Sequence, residues 1–180
     1  MILFNAWLLI RASGIVAYVL LSLTVLTGLY SMFRKHRSLP PGLVPALHNT
    51  LSNWALYLVL FHAAMLFYDH YKSYSWQDIL IPFHAADAAR IPMGIGILGL
   101  YLLAFTILTT ELRRTIGSRI WRLLHMLSPV AYLLATVHGI WQGTDTQAAW
   151  MVGMYWVSWS LTLFMVGLRM LPKKEIPAAE

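Results

Sequence analysis

Five long apolar stretches alternate with short polar ones along the chain. Each is long enough to cross a bilayer, since a membrane helix needs about 20 apolar residues. The pattern predicts spans at Ser13–Phe33, Pro45–Tyr68, Ile91–Thr110, Ile120–Trp141 and Ala148–Met170. Ile2–Ile10 reads as an interfacial lead-in or a tilted extension of the first span. Pro40-Pro41-Gly42 separates the first two spans, because two prolines and a glycine end a helix. Within the polar link from Asp69 to Arg90, Trp76–Ala89 reads as a short surface helix. Gly94, Gly96 and Gly99 in the third span suit close helix packing. The fold class is therefore all-α, an integral membrane bundle of five transmembrane helices. Residues 1–180 form a single domain in this reading.

Composition agrees with the pattern. Hydrophobic residues make up 59% of the 180 and charged residues 11%, against roughly 25% charged in soluble chains. No stretch remains for a soluble catalytic domain, and Met1 to Ile10 lacks the basic start of a signal peptide. The chain has no cysteine, which excludes disulfides, iron–sulfur clusters, thiolate haem ligation and covalent haem attachment. The net charge of +6 is concentrated at span ends. It is a topology signal and not a nucleic-acid surface. Arg34, Lys35, Arg37, Arg113, Arg114, Arg119, Arg122, Arg169, Lys173 and Lys174 fall on one side, and only Arg11, Lys72 and Arg90 on the other. Basic residues collect on the cytoplasmic side. The expected protein is thus a multi-pass cell-membrane protein with its N-terminus outside and its C-terminus cytoplasmic.

Ionisable side chains within a membrane span are functional candidates by default. The second span carries His48 and His62, fourteen residues apart, and the fourth carries His125 and His138, thirteen apart. Both spans run the same way, and their histidines fall at matching depths. His62 and His138 each precede an aspartate, Asp69 and Asp145, by seven residues. His48 and His125 each follow an arginine, Arg37 and Arg114, by eleven. His48 therefore pairs with His125 on the cytoplasmic side and His62 with His138 on the outer side, ~20 Å apart by helix rise. Paired imidazoles on opposite faces of a porphyrin give a six-coordinate b-type haem. Helix–helix hydrogen bonding is the competing explanation for any single histidine. A proton relay would want carboxylates in mid-span, and none is clearly central there. Fourteen residues leave two side chains about 40° from alignment, but thirteen leave about 140°. Pro129 lies between His125 and His138 and is expected to rewind that helix.

Arg11 has two readings, pairing with a propionate of an outer haem or snorkelling to headgroups. Arg119 and Arg122 have the same choice at an inner haem, against positive-inside anchoring. His36, His70 and His84 lie in loops and read as solvated residues, the last two with an option on a partner or a metal. Met65 and Met126 read as lipid or core contacts rather than soft ligands.

The histidine spacings, the lead Trp121-Arg122-Leu123-Leu124-His125, His138-Gly139-Ile140 before Gly143-Thr144-Asp145, and the opening Trp7-Leu8-Leu9-Ile10-Arg11-Ala12-Ser13-Gly14 resemble the ferric-reductase-like transmembrane domain. That is the haem core of ferric reductases and NADPH oxidases, and the likeness covers roughly residues 5 to 170. It implies two b haems per chain, held by His48, His62, His125 and His138, that carry electrons across the membrane. The C-terminal FAD- and NAD(P)H-binding region of that family is missing from this sequence. An electron-transfer subunit is expected, working with a separate redox protein such as a flavoprotein, or with a quinol. The alternatives are a quinol-linked haem subunit feeding another oxidoreductase and a structural subunit of a larger membrane complex. Lipid is the surrounding partner.

Overall fold

Asn5 opens the first helix: its side chain accepts from the Leu8 amide at 3.2 Å, a capping bond that satisfies a free N–H. Helix α1 then runs Ala6–Tyr30, so residues 6–10 continue the first span, as the extension reading has it, and residues 2–4 lie outside the described residues. Gly42, in the left-handed region at φ 89°, starts α2, Leu43–Met65. The computed structural model describes residues 5–33, 40, 42–69 and 72–171. His36, His70, Arg34, Lys35, Arg37, Lys173 and Lys174 lie outside the described residues.

The link to the third span is shorter in helix than the sequence suggested. Helix α3 covers only Trp76–Leu80, followed by a 3-10 turn at Asp87–Ala89. Ile81 precedes Pro82, whose ring disfavours the α region for its predecessor, and Ile81 is extended. Helix α4 is Arg90–Glu111. A single basic turn, α5, Arg113–Ile116, leads to a fourth span in two pieces, α6, Ser118–His125, and α7, Ser128–Gln142. Helix α8 is Ala149–Met170. No strand occurs among the described residues. Five segments are long and apolar enough to span, and the molecule is an all-helical, multi-pass membrane protein.

The break between α6 and α7 falls where Pro129 demands it. Proline has no N–H for the His125 carbonyl, so the ladder is interrupted there. Met126 and Leu127 turn to carbonyls three residues back, at 3.2 and 3.0 Å. Such 3-10 steps rotate ~120° per residue where α-helix rotates ~100°. The overwinding carries His125 toward the face of His138, in the sense the thirteen-residue spacing required.

Helix α2 packs along α1, and α7 along α4. Helices α2 and α7 make no extended backbone contact; what faces across the gap between them is their histidines. In lipid, close backbone approach replaces the hydrophobic effect as the organising force. A Cβ at Gly99 of α4 would sit 3.4 Å from Leu134 and 3.6 Å from the backbone of Ala135. The core lies midway along the bundle, around Tyr18, Tyr132 and Tyr155. Tyr18 and Ser158 share a 2.9 Å hydroxyl bond. Trp159 stacks on Tyr132 at 5.0 Å and donates its Nε1–H to Thr136 at 3.2 Å. Tyr132 stands seven residues after His125 and six before His138. The packed layer therefore separates the two histidine levels.

Candidate functional site: two facing histidine pairs

The structure brings together the residues paired by sequence depth. The ring centres of His48 and His125 are 6.1 Å apart, with planes at 64°. Those of His62 and His138 are 6.3 Å apart at 86°. The first pair lies at the basic end of the bundle, which carries Arg113, Arg114, Arg119 and Arg122. The second lies at the link end, beneath residues 72–90.

Three of the four rings are oriented by a backbone carbonyl. Nδ1 of His62 lies 2.8 Å from the Ile10 carbonyl, Nδ1 of His138 2.8 Å from Pro92, and Nδ1 of His48 2.9 Å from Thr24. A carbonyl only accepts, so Nδ1 must carry the proton and donate it. That tautomer leaves the Nε2 lone pair free to bind a metal, the usual arrangement behind a metal-bound histidine. A free carbonyl in mid-helix is not enough by itself; the ring must also have room to reach it. Glycines supply that room. A Cβ at Gly96 would come 2.5 Å from Nδ1 of His138, one at Gly14 3.1 Å from Nδ1 of His62, and one at Gly28 3.1 Å from Cε1 of His48.

These glycines were not singled out from the sequence as part of a site. Gly96 was read as a helix-packing residue, yet what it makes room for is a ring. A signal was present: Gly14 and Gly28 are fourteen residues apart, the same interval as His62 and His48. Two helices lying antiparallel place equal intervals at equal depths.

His125 is held differently. Its Nδ1 is buried and has no hydrogen-bond partner among the described residues. Its ring stacks on Trp121, one helical turn earlier, at 5.2 Å and 27°.

Among the described residues no three or more His, Cys, Asp or Glu side chains converge as a metal site. Each pair thus offers two imidazole donors, with no third such side chain beside them among the described residues. Such a site suits a metal that brings its own equatorial ligands, as a porphyrin-bound iron does. At the link end a cavity of about 680 Å³ opens beside the pair, lined by His62, His138, Arg11, Asp145, Lys72 and Tyr74 among others.

Arg11 points toward the cavity beside the His62–His138 pair, which it helps to line. It makes a two-pronged ion pair with Asp145 in the α7–α8 turn, and its guanidinium lies 5.0 Å from the Trp7 ring centre. In the sequence Asp145 serves as a depth marker and as part of Gly143-Thr144-Asp145, not as a partner of Arg11. Arg119 and Arg122 are exposed, and the arginine that packs next to the site is Arg113, 4.1 Å from the Trp121 ring centre. Met126 is 69% exposed.

The link folds back on α4. Phe83 adopts a left-handed backbone at φ 62°, a strained state for an aromatic residue, and its ring fills the space beside Gly94. The Tyr101 hydroxyl donates to the Leu80 carbonyl. His84 is bound through Nδ1 to Asp78 at 2.9 Å, rather than free. The Ser75 hydroxyl donates to Asp78 at 2.7 Å. That bond, then His84, pushes the Asp78 carboxyl down to about 2.

The family model described as ferric reductase like transmembrane component matches residues 13–136. The match contains His48, His62 and His125 and stops two residues before His138. Neither a curated protein nor a solved structure matches the chain.

Proposed function

The chain belongs to the ferric reductase like transmembrane component family, and from that premise we propose that it moves single electrons across the membrane through two bis-histidine b-type haems. The family supports a transmembrane electron-transfer role, and its transmembrane domain binds haem. The haem number, the ligands and the partner are our reading.

One observation carries it, the spacing of the rings. A metal–imidazole bond is about 2.0–2.1 Å and a ring centre lies about 1.1 Å behind its nitrogen, so two imidazoles holding one metal from opposite sides would have centres about 6.3 Å apart. The two pairs measure 6.1 and 6.3 Å. Bound at these positions, haem iron would supply reversible one-electron chemistry. The protein's own residues do the rest. His48 and His125 would hold the group at the basic end, and His62 and His138 the one at the link end. The Thr24, Ile10 and Pro92 carbonyls fix three rings and their tautomers. The aromatic layer around Tyr132 fills the space between the levels and keeps water from it.

Charge supports an orientation. The exposed Arg113, Arg114, Arg119 and Arg122 favour a cytoplasmic basic end, which makes the His48–His125 site inner and the His62–His138 site outer. A topology reporter in the 72–90 link should then read outside; a cytoplasmic reading would exchange the labels. The same arginines form a face for an acidic redox partner, and a separate flavoprotein or a quinol would exchange electrons with the inner site.

The test is haem quantitation on purified protein. Two low-spin b haems per chain are expected, reducible by dithionite. NADH or NADPH should not reduce them unless flavin and partner are added. His48→Ala or His125→Ala should remove the inner haem and His62→Ala or His138→Ala the outer. Two intact low-spin haems in all four variants would refute the ligand assignment.

A further inference from the structure

Four imidazoles face one another in two pairs, and three have the same backing. The fourth, His125, has a buried Nδ1 with no acceptor among the described residues. Something else must set its orientation, because a ring with no hydrogen bond can rotate about its side-chain torsions. What touches it is Trp121, stacked at 5.2 Å and 27°. The indole is itself anchored. Its Nε1 donates to the Thr110 hydroxyl on α4 at 3.1 Å, and the Arg113 guanidinium lies 4.1 Å from its ring centre, an attractive cation–π contact. Thr110 stands fourteen residues after Gly96. Helix α4 thus backs His138 directly, through Gly96 and the Pro92 carbonyl, and backs His125 through Trp121.

Resting on the two-haem reading above, we propose that Trp121 is the positioning residue of His125, and that Arg113, through it, tunes the inner site. A stacked indole restrains the plane of an imidazole but offers no acceptor to its Nδ1–H. Hydrogen bonding at Nδ1 raises the basicity of a histidine ligand, and a more basic ligand favours ferric iron. His125, without that bond, is the weakest donor of the four. With haem bound there, His125 would be the ligand released most readily. The Arg113 charge acts in the same sense, since a nearby cation favours the less positive, reduced state. A partner that engages Arg113 at the basic face would weaken this bias.

The test uses full-length, haem-loaded protein and reads low-spin EPR signals, potentiometric titration and carbon monoxide binding to the reduced form. His48→Ala first identifies which signal belongs to the inner site. Trp121→Ala should then lose that low-spin signal and gain one carbon monoxide-binding haem per chain, with the outer signal unchanged. Trp121→Phe, which keeps a stacking ring, should restore the low-spin inner site. Arg113→Gln should leave both haems low-spin and lower the inner midpoint potential alone. If Trp121→Ala keeps two unaltered low-spin signals and potentials, Trp121 does not position His125. If it fails to assemble, Trp121→Phe and Arg113→Gln decide: loss of the low-spin inner signal in the first, or an unchanged inner potential in the second, overturns the proposal. Retention of two low-spin haems by His125→Ala would instead refute the ligand assignment itself, whatever Trp121 does.

Discussion

The two ends of the bundle repeat one donor arrangement with different supports. At the link end, both rings donate to carbonyls, and the planes stand at 86°. At the basic end one ring donates to a carbonyl and the other leans on an indole, and the planes stand at 64°. Ring spacing is nearly the same at both ends, so it follows from the helix frame. Ring orientation and electronic character differ, so they follow from what lies behind each ring. Charge differs as well. Arg11, beside the His62–His138 pair, is matched by Asp145, whereas Arg113 rests on an indole.

The largest contrast should come from the glycine cradles. Gly96→Ala puts a methyl group 2.5 Å from Nδ1 of His138, closer than any packing allows, at a cost of about 1–3 kcal/mol in a tight site. Haem content should fall toward one per chain, with the outer signal lost. Gly28→Ala meets His48 at 3.1 Å, and a shift of a few tenths of an ångström relieves it. Replacing a mid-helix glycine also stabilises by up to about 1 kcal/mol. Both haems should stay, with only the inner spectrum displaced. Equal losses from the two variants would mean that the cradles do not differ.

A smaller effect is expected from the Arg11–Asp145 pair. Both residues line the cavity beside His62 and His138, and Arg11 directly follows Ile10, the acceptor of His62. Asp145→Asn should raise the outer midpoint potential and Arg11→Gln should lower it, by removing charges of opposite sign. The inner potential should hold steady in both. Arg11 is 35% exposed, so the loss of stability is only about 1–2 kcal/mol, the range of charged hydrogen bonds discounted for solvent. Potentials that move together in both variants would break the distinction between the ends.

The smallest effect belongs to the link over the outer site. The Asp78 carboxyl is depressed from 3.8 to about 2 by Ser75 and His84. A depressed folded-state value contributes stability above the unfolded value, lost as pH falls through the folded one. Protection factors in residues 75–80, corrected for intrinsic exchange, should therefore hold down to about pH 4 and fall as pH drops from there toward 2. Asp78→Asn should bring the faster exchange to neutral pH. Slow exchange in that variant would show that Phe83 and Tyr101 hold the link without Asp78.

Much of this was legible in the sequence because it is local. Hydropathy over twenty residues fixes a span, and the interval between two histidines on one helix fixes their depths. The absence of an amide hydrogen at Pro129 interrupts the ladder of any helix that would run through it from His125. The stop at Leu80 was also local, written in Ile81-Pro82, though a reading by polarity extended the helix past it. What only the tertiary structure decided are contacts between distant positions. The Ile10 carbonyl meets His62, Pro92 meets His138, and Arg11 reaches Asp145, 134 residues away. The lining of α1 by Gly14 and Gly28 mirrors the histidine interval, but an interval becomes a cradle only when α1 and α2 lie antiparallel. His125 was an outlier in spacing on paper. Packing made it an outlier in chemistry, because its ring stacks on Trp121 and its Nδ1 finds no acceptor among the described residues.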